Sequence, residues 1–400
     1  MSVMADVRPA WVEIDLDAIT NNYKAVRKTL KDETKIMAVV KGDAYGCASA
    51  LPAQMLLELG ADYLAVAILD EALELRKAGI EDPILVLGYT PASQAKLAVK
   101  NDITLTVYRK ESVEAISKAA QELKKIGKVH IKVDTGMGRI GLQPGQEVVK
   151  FIKEAKNLDK IETEGIYTHF SVAEMEEPGD KEYTYDQLSI FEETLSMLQK
   201  EEMEVPIKHA CNSAAIMNIP ESRLDMVRTG SAIFGITVTD EINRKLDLRP
   251  VISLKASIGH VKKVPKGRAI SYGRTYVTEK ETTIATLPLG YADGYSRLLS
   301  NQSQVLVGGK KNPQIGLVCM DQCMVDVSEV EPTPQVNDTA VLLGRQGEEE
   351  ITMGDLARIM GAKANDLEVV THFTKRLPRV YIWQGEPIAV YDMNGLRKKQ

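Results

Sequence analysis

Cysteine is scarce in this chain. Cys47, Cys211, Cys319 and Cys323 are the only four in 400 residues, too few for a disulfide framework and in keeping with a reducing compartment. An excess of positive charge is also missing: the formal net charge is −6, which argues against nucleic acid or an anionic membrane as partner. Long apolar runs are absent. The longest are strand-sized, and the opening MSVMADVRPAW has neither a signal-peptide core nor a spanning segment, so a cytoplasmic protein is expected. There is no low-complexity tract, and no repeat beyond an alternation of strands and helices. What is present is ordinary for a globular chain, with 44% hydrophobic and 26% charged residues, enough for a large core and about two domains.

The stretch KIMAVVKGDAYG, Lys35 to Gly46, organises the rest. An apolar β-branched run ends in Lys41, and a charge flush against such a run is either functional or a snorkelling surface lysine. At the C-terminal end of a strand a lone amine is a candidate Schiff-base lysine. Before this strand come a strand at Trp11–Ile14 and a helix to about Leu30, with Asp15 or Asp17 as N-cap. After it, strand-like runs at 63–68, 83–88, 103–108, 129–133, 165–170, 207–211 and 226–234 alternate with amphipathic helices. Eight strand-helix units within roughly 240 residues predict an α/β protein, a (β/α)8 barrel over residues 1–243. A doubly wound sheet is less suitable, because no glycine fingerprint follows the strand that carries Lys41. Beyond Asn243, short β-branched runs separated by turns predict a mostly β domain over residues 244–400, with one helix, Met353–Met360, capped by Thr352.

The ends of the barrel strands carry the chemistry. After the fifth strand KVDTGMGRIG sets Lys132, Asp134 and Arg139 among three glycines. After the sixth comes His169. The seventh leads to Asn212 and Ser213 at a helix start, and the eighth to Arg228, Gly230 and Ser231. Loops after strands seven and eight are the usual phosphate site of such barrels. Each residue has a plain structural alternative: a satisfied core histidine for His169, helix caps for the serines, ion-paired structural arginines for Arg139 and Arg228. Their convergence on one barrel face favours a site. An amine at one strand end and a phosphate cradle across the mouth are what pyridoxal 5'-phosphate (PLP) needs. Cys319 and Cys323 in CMDQC lack companion ligands at metal spacing, so no metal is expected. In the second domain, Tyr272 in SYGRTY and Tyr291 in LGYADGY stand in Gly-rich polar segments where a phenol is exposed. A phenol with a reference pKa near 10 needs positive charge or a hydrogen-bond partner nearby to act as a base.

With VVKGDAYG, VDTGMGRIG, EGIYTHF, CNSAA, MVRTG, SYGRTY, LGYADGY, CMDQCMVD and RLPRVY in this order from about Trp11 to Tyr391, the chain resembles alanine racemase. The resemblance implies PLP bound covalently to Lys41, which acts as one catalytic base. Tyr272 is implied as the other, reaching the opposite face of the substrate Cα from the second subunit of a homodimer. It further implies that Tyr45 lines the cofactor, Arg139 bonds its ring hydroxyl, and His169 faces its ring. Ser213, Gly230 and Ser231 are implied to hold its phosphate, and Arg228 to bond its pyridine nitrogen. Lys132 takes the position that is often carbamylated. Tyr291 and Arg297 belong to the substrate entry, and Met320 contacts substrate from the partner. The implied product is D-alanine for peptidoglycan.

The chain departs from the family pattern at Gly42, Cys47 and Ala48, at Glu174, at Leu317, and above all at Leu367, where a tyrosine near phosphate and substrate is common. Leu367 leaves racemisation of serine or a basic amino acid as an alternative. A non-catalytic PLP-binding regulator on the same barrel is disfavoured by the second β domain and by Tyr272.

Overall fold

The chain opens with β1 (Ala10–Asp15) and a helix, Leu16–Lys28, whose N-cap is Asp15: its carboxylate accepts from Ala18 N at 2.8 Å, and Asp17 falls in the first turn. In the computed structural model, residue 4 and residues 7–174, 177–236, 246–361 and 365–398 are described. The boundary expected between residues 243 and 244 lies outside them. Eight parallel strands then follow around a ring: β2 (Lys35–Val39), β3 (Tyr63–Val66), β4 (Ile84–Val86), β5 (Thr104–Val107), β6 (Gly127–Lys132), β7 (Ile161–Tyr167), β8 (Ile207–His209) and β9 (Met226–Thr229). Neighbours pair in chain order, and β9 returns to β2 with Val227 opposite Ile36. Among the described residues β8 and β9 share no ladder, but Asp225 N donates to Lys208 O and Arg228 N to Cys211 O, which nearly closes the barrel. The run expected to be a strand to Phe234 stops at Thr229, because Gly230 begins a turn in which Ile233 N returns to Gly230 O.

Strand residues two apart share a face. Ile36, Ala38, Leu64 and Val66 therefore pack outward under the helices, while Met37, Val39, Tyr63, Ala65, Leu85, Ile207 and Met226 fill part of the interior. The rest of the interior is polar, with His130, Lys132, Tyr167, His209 and Arg228 all buried. Buried polar groups cost stability unless paired, so this half of the barrel is built for something other than packing.

The second domain is a twelve-stranded sheet, in which β10 (Ile252–Ser257) lies next to β1. Although residues 10–15 precede the barrel in the chain, β1 belongs to this sheet. It pairs antiparallel with β10 and parallel with Arg379–Trp383, setting Val12 opposite Leu254 on one side and Arg379 on the other. Ala10, Val12 and Ile14 bury one face of the strand fully, and on the other Trp11 packs with Val380 and Val390 beside Glu13, which pairs with Lys255, so both faces are covered in its central place. The helix Met353–Met360 forms as expected, with Thr352 Oγ1 accepting from Asp355 N at 3.1 Å and Asp355 Oδ2 accepting from Thr352 N at 2.9 Å. The expectation of a single helix in this domain is corrected by a second, Asp366–Thr371, capped by Asn365. Six residues are too few to display helical periodicity in the sequence. Among the described residues no helix is long and apolar enough to cross a membrane.

Candidate active site

Continuing the Met37, Val39 alternation points Lys41 inward at the C-terminal mouth of the barrel. There it lines a cavity of about 500 Å³ together with Tyr45, Lys132, Arg139, His169, Asn212, Ser213, Arg228, Gly230, Ser231 and Leu367. Ten of the residues expected at the site thus converge in one cavity: the first nine of these and Lys41 itself. Burial and the Arg139 guanidinium lower the Lys41 amine from its usual range, against the pull of Glu71. The turn after Lys41 is left-handed: Gly42, Asp43, Ala44 and Tyr45 have φ between 53 and 63°. Residues with a Cβ avoid this region at roughly 1–2 kcal/mol each, so three of the four are held there by their surroundings. The result buries Tyr45 against Phe234, ring centroids 5.2 Å apart, and brings its hydroxyl beside Gly230, where an added Cβ would collide with it.

Across the mouth, Ser213 Oγ accepts from Gly230 N at 3.0 Å and lies 3.5 Å from Ala232 N, and Asn212 Oδ1 accepts from Ala215 N. Hydroxyls and backbone amides gathered around a glycine form a cradle suited to an anion. The charge agrees. Among the described residues, Lys41, Lys132, Arg139 and Arg228 line the cavity against a single carboxylate, Glu174.

Arg228 is buried, and burial draws its guanidinium down to about 10, so it stays protonated at neutral pH. Nη1 donates to His209 O, and Nη2 to Thr168 O and Ala210 O. Nη1 also lies 3.0 Å from His209 Nδ1, and Nη2 3.1 Å from His169 Nδ1. A guanidinium only donates, so both imidazoles accept at Nδ1 and carry their proton on Nε2. That fixes a relay: His209 Nε2 donates to His130 Nδ1 at 2.9 Å, and His130 Nε2 to Glu164 at 3.3 Å. Burial alone would raise the Glu164 carboxyl, but bonds from His130 and Lys128 bring it down to about 2. Gly165 makes the room, since a Cβ there would sit 2.5 Å from His130 Nδ1.

Burial lowers His130, His169 and His209 alike. The unfolded chain takes up protons near pH 6.5 that the folded barrel refuses, so stability falls as pH drops through that value. Each histidine that stays neutral in the folded barrel contributes a slope of at most about 1.4 kcal/mol per pH unit. Urea unfolding at fixed cofactor concentration should therefore show a midpoint well below its pH 7 value at pH 5; a constant midpoint contradicts neutral buried imidazoles.

Lys132 is buried, with Nζ donating to Val133 O at 3.1 Å and lying 4.9 Å from the centroid of the Tyr167 ring. Burial and Arg228 hold its amine well below the usual range. Tyr272, Tyr291 and Met320 do not line the cavity. They are 71%, 42% and 51% exposed, and all three are set around one segment: Ser271 Oγ donates to Leu317 O, Tyr291 N to Cys319 O and Ala292 N to Met320 O.

Sequence reasoning missed the relay residues Glu164, His130 and His209, and Tyr167, which stacks on His209 at 4.7 Å. The parity of KVHIKVD, with His130 two residues before Lys132, carried the signal for the first histidine.

The whole chain was compared with known proteins. Residues 14–238 match the model of the alanine racemase N-terminal domain, and residues 251–381 that of the C-terminal domain. The chain is 46% identical to an alanine racemase of Halothermothrix orenii over 94% of this chain and 97% of that protein. It is 42% identical to alanine racemase 2 of Caldanaerobacter subterraneus subsp. tengcongensis, over 98% and 99%. Among solved structures, alanine racemase of Clostridium difficile superposes with a TM-score of 0.91 at 39% identity, covering 96% of this chain and 99% of that one. The Bacillus anthracis alanine racemase with bound L-Ala-P does so with 0.90, at 39% identity over 96% and 98%. With both domain models matched in order and relatives aligned end to end, the chain belongs to the alanine racemase family, isomerases that act on an amino acid.

Proposed function

We propose that the chain interconverts L- and D-alanine by a two-base mechanism, with PLP held at Lys41, and that two copies share their active sites. The single observation that carries the reading is the placing of Lys41, Arg228 and the Ser213–Gly230–Ser231 cradle around one cationic cavity. The residues present fit the cofactor. An amine stands at one end, an anion cradle at the other, and among the described residues Arg228 Nε has no hydrogen-bond partner and is free for a ring nitrogen.

PLP, when bound, supplies the electron sink that makes an amino-acid Cα–H acidic. Lys41 anchors it and moves the Cα proton on one face of the substrate. Tyr272 of the second copy moves it on the other face, since inversion requires removal from one side and return to the opposite one. Arg228 donates to the ring nitrogen but keeps its own proton, because a guanidinium is a very weak acid. By keeping its proton, Arg228 would temper that sink and so favour proton return over loss of carboxylate. His169 would face the ring, Arg139 would bond its hydroxyl, Tyr45 and Asn212 would line the cofactor, and Ser213, Gly230 and Ser231 would hold its phosphate. Tyr291 and Met320 of the second copy line the substrate entry. A neutral Lys132 amine is the form that takes up carbon dioxide, and carbamylated Lys132 steadies Arg139. The reading places the enzyme in the cytoplasm, making D-alanine for peptidoglycan.

The test is a racemisation assay over a panel of amino acids with the PLP absorbance recorded beside it. Alanine should lead; a kcat/KM for serine or lysine equal to that for alanine overturns the substrate assignment. Broader specificity has one observation in its favour, an aliphatic Leu367 on the cavity wall. Differences of a hydroxyl in such pockets are worth about 1–3 kcal/mol. Leu367→Tyr should accordingly change the alanine-to-serine ratio of kcat/KM by roughly 5- to 150-fold, and an unchanged ratio excludes this wall from substrate choice.

A further inference from the structure

Glu71 stands in the first turn of the helix Leu69–Lys77 and is half-buried. Its Oε2 accepts from Ala67 N at 2.8 Å and from Ile68 N at 3.3 Å, the arrangement that caps its own helix. Capping needs only that oxygen. Oε1 turns to the neighbouring loop and accepts from Gly42 N at 2.6 Å and Asp43 N at 3.3 Å. One carboxylate thus ties the ends of β2 and β3 together through four backbone amides.

The loop it reaches is the left-handed turn after Lys41. Its far half is held from the second domain: Arg379 Nε donates to Gly46 O at 2.9 Å, and a Cβ on Gly46 would sit 2.6 Å from Val370 O. Asp43 helps by accepting from Ser49 N. The near half, beside the lysine, is where Glu71 acts. Among the described groups acting on the Lys41 amine, Glu71 is also the one anion, set against Arg139 and Arg228.

We propose that Glu71 is a positioning residue for the cofactor: it locks the left-handed turn that aims Lys41 into the cavity, and so governs how firmly PLP is held. This rests on the reading of Lys41 as the PLP anchor. Glu71→Gln keeps the shape, but its amide nitrogen faces N–H donors in one loop whichever way it is turned. Glu71→Asp keeps the charge and is one methylene too short to span both loops. Leu75→Ala, a buried deletion in the same helix, measures what mere loosening of the helix does.

PLP dissociation constants are measured by absorbance titration of the cofactor-free chain, with melting temperatures alongside. Misplacement of a reacting group is costly, so E71Q should bind PLP about tenfold or more weakly, and E71D should follow if E71Q does not fold. L75A should lower the melting temperature yet stay within about twofold in affinity. Wild-type affinity in E71Q or E71D, or a loss in L75A equal to theirs, overturns the proposal. Failure of the unsubstituted chain to take up PLP at all is a different result: it removes the anchoring reading itself, and this proposal with it.

Discussion

Replacing Lys41 with alanine is expected to cut racemisation by at least about a thousandfold and to abolish the visible absorbance of bound PLP. Among the described residues the cavity holds one other amine, that of Lys132, and it cannot substitute. Lys132 is buried, donates to Val133 O and lies over Tyr167, whereas Lys41 is open to the cavity mouth at a strand end. Because Lys41 is on the surface of the cavity, truncating it leaves no packing defect, and the melting temperature of the cofactor-free protein should barely change. Initial rates in both directions and a PLP titration check this. A variant that keeps a tenth or more of the rate defeats the assignment.

Tyr272→Phe should lower kcat by about 10²- to 10⁴-fold, the usual range for one proton-transfer group, while the PLP absorbance and melting temperature are kept. The expectation is sharp because so little else changes. Tyr272 is 71% exposed, so losing its hydroxyl disturbs no core. A phenol serves as a base only where positive charge or a hydrogen-bond partner stands beside it, and in the proposed shared site the Arg139 and Arg228 guanidiniums would supply that charge. With Tyr272 silenced, Lys41 still exchanges the proton it faces. One enantiomer of alanine should keep exchanging its Cα hydrogen with deuterated solvent while the other stops. Equal exchange of both contradicts a two-base division.

Much of this was legible in the residues themselves, for local reasons. The inward parity of Met37, Val39 and Lys41, and the serine and glycine after strands seven and eight, lie in short stretches whose strand ends the barrel alternation locates. The Thr352 cap and its helix are likewise local. What escaped notice depends on contacts between distant segments. The membership of β1 in the second sheet follows from β10 and Arg379–Trp383, more than two hundred residues away. The relay from Arg228 to Glu164 needs β9, β8, β6 and β7 side by side. The left-handed turn at Asp43–Tyr45 contradicts the preferences of its own residues, and the carboxylate that holds it sits one strand further along the chain. Tyr272 and Tyr291 stood out as phenols in Gly-rich polar segments, but their roles, and Met320 altogether, came only from the resemblance, since within one chain none of the three lines the cavity.

The shared site is the central claim, and a mixed dimer tests it most directly. Chains carrying Lys41→Ala and Tyr272→Phe are coexpressed with different tags and the mixed species is purified. In a dimer whose subunits exchange Tyr272, one site receives both substitutions and the other neither, so the mixed dimer should show about half the wild-type activity although each parent is nearly inactive. A mixed dimer as inactive as its parents would place Lys41 and Tyr272 in the same subunit's site and contradict the account.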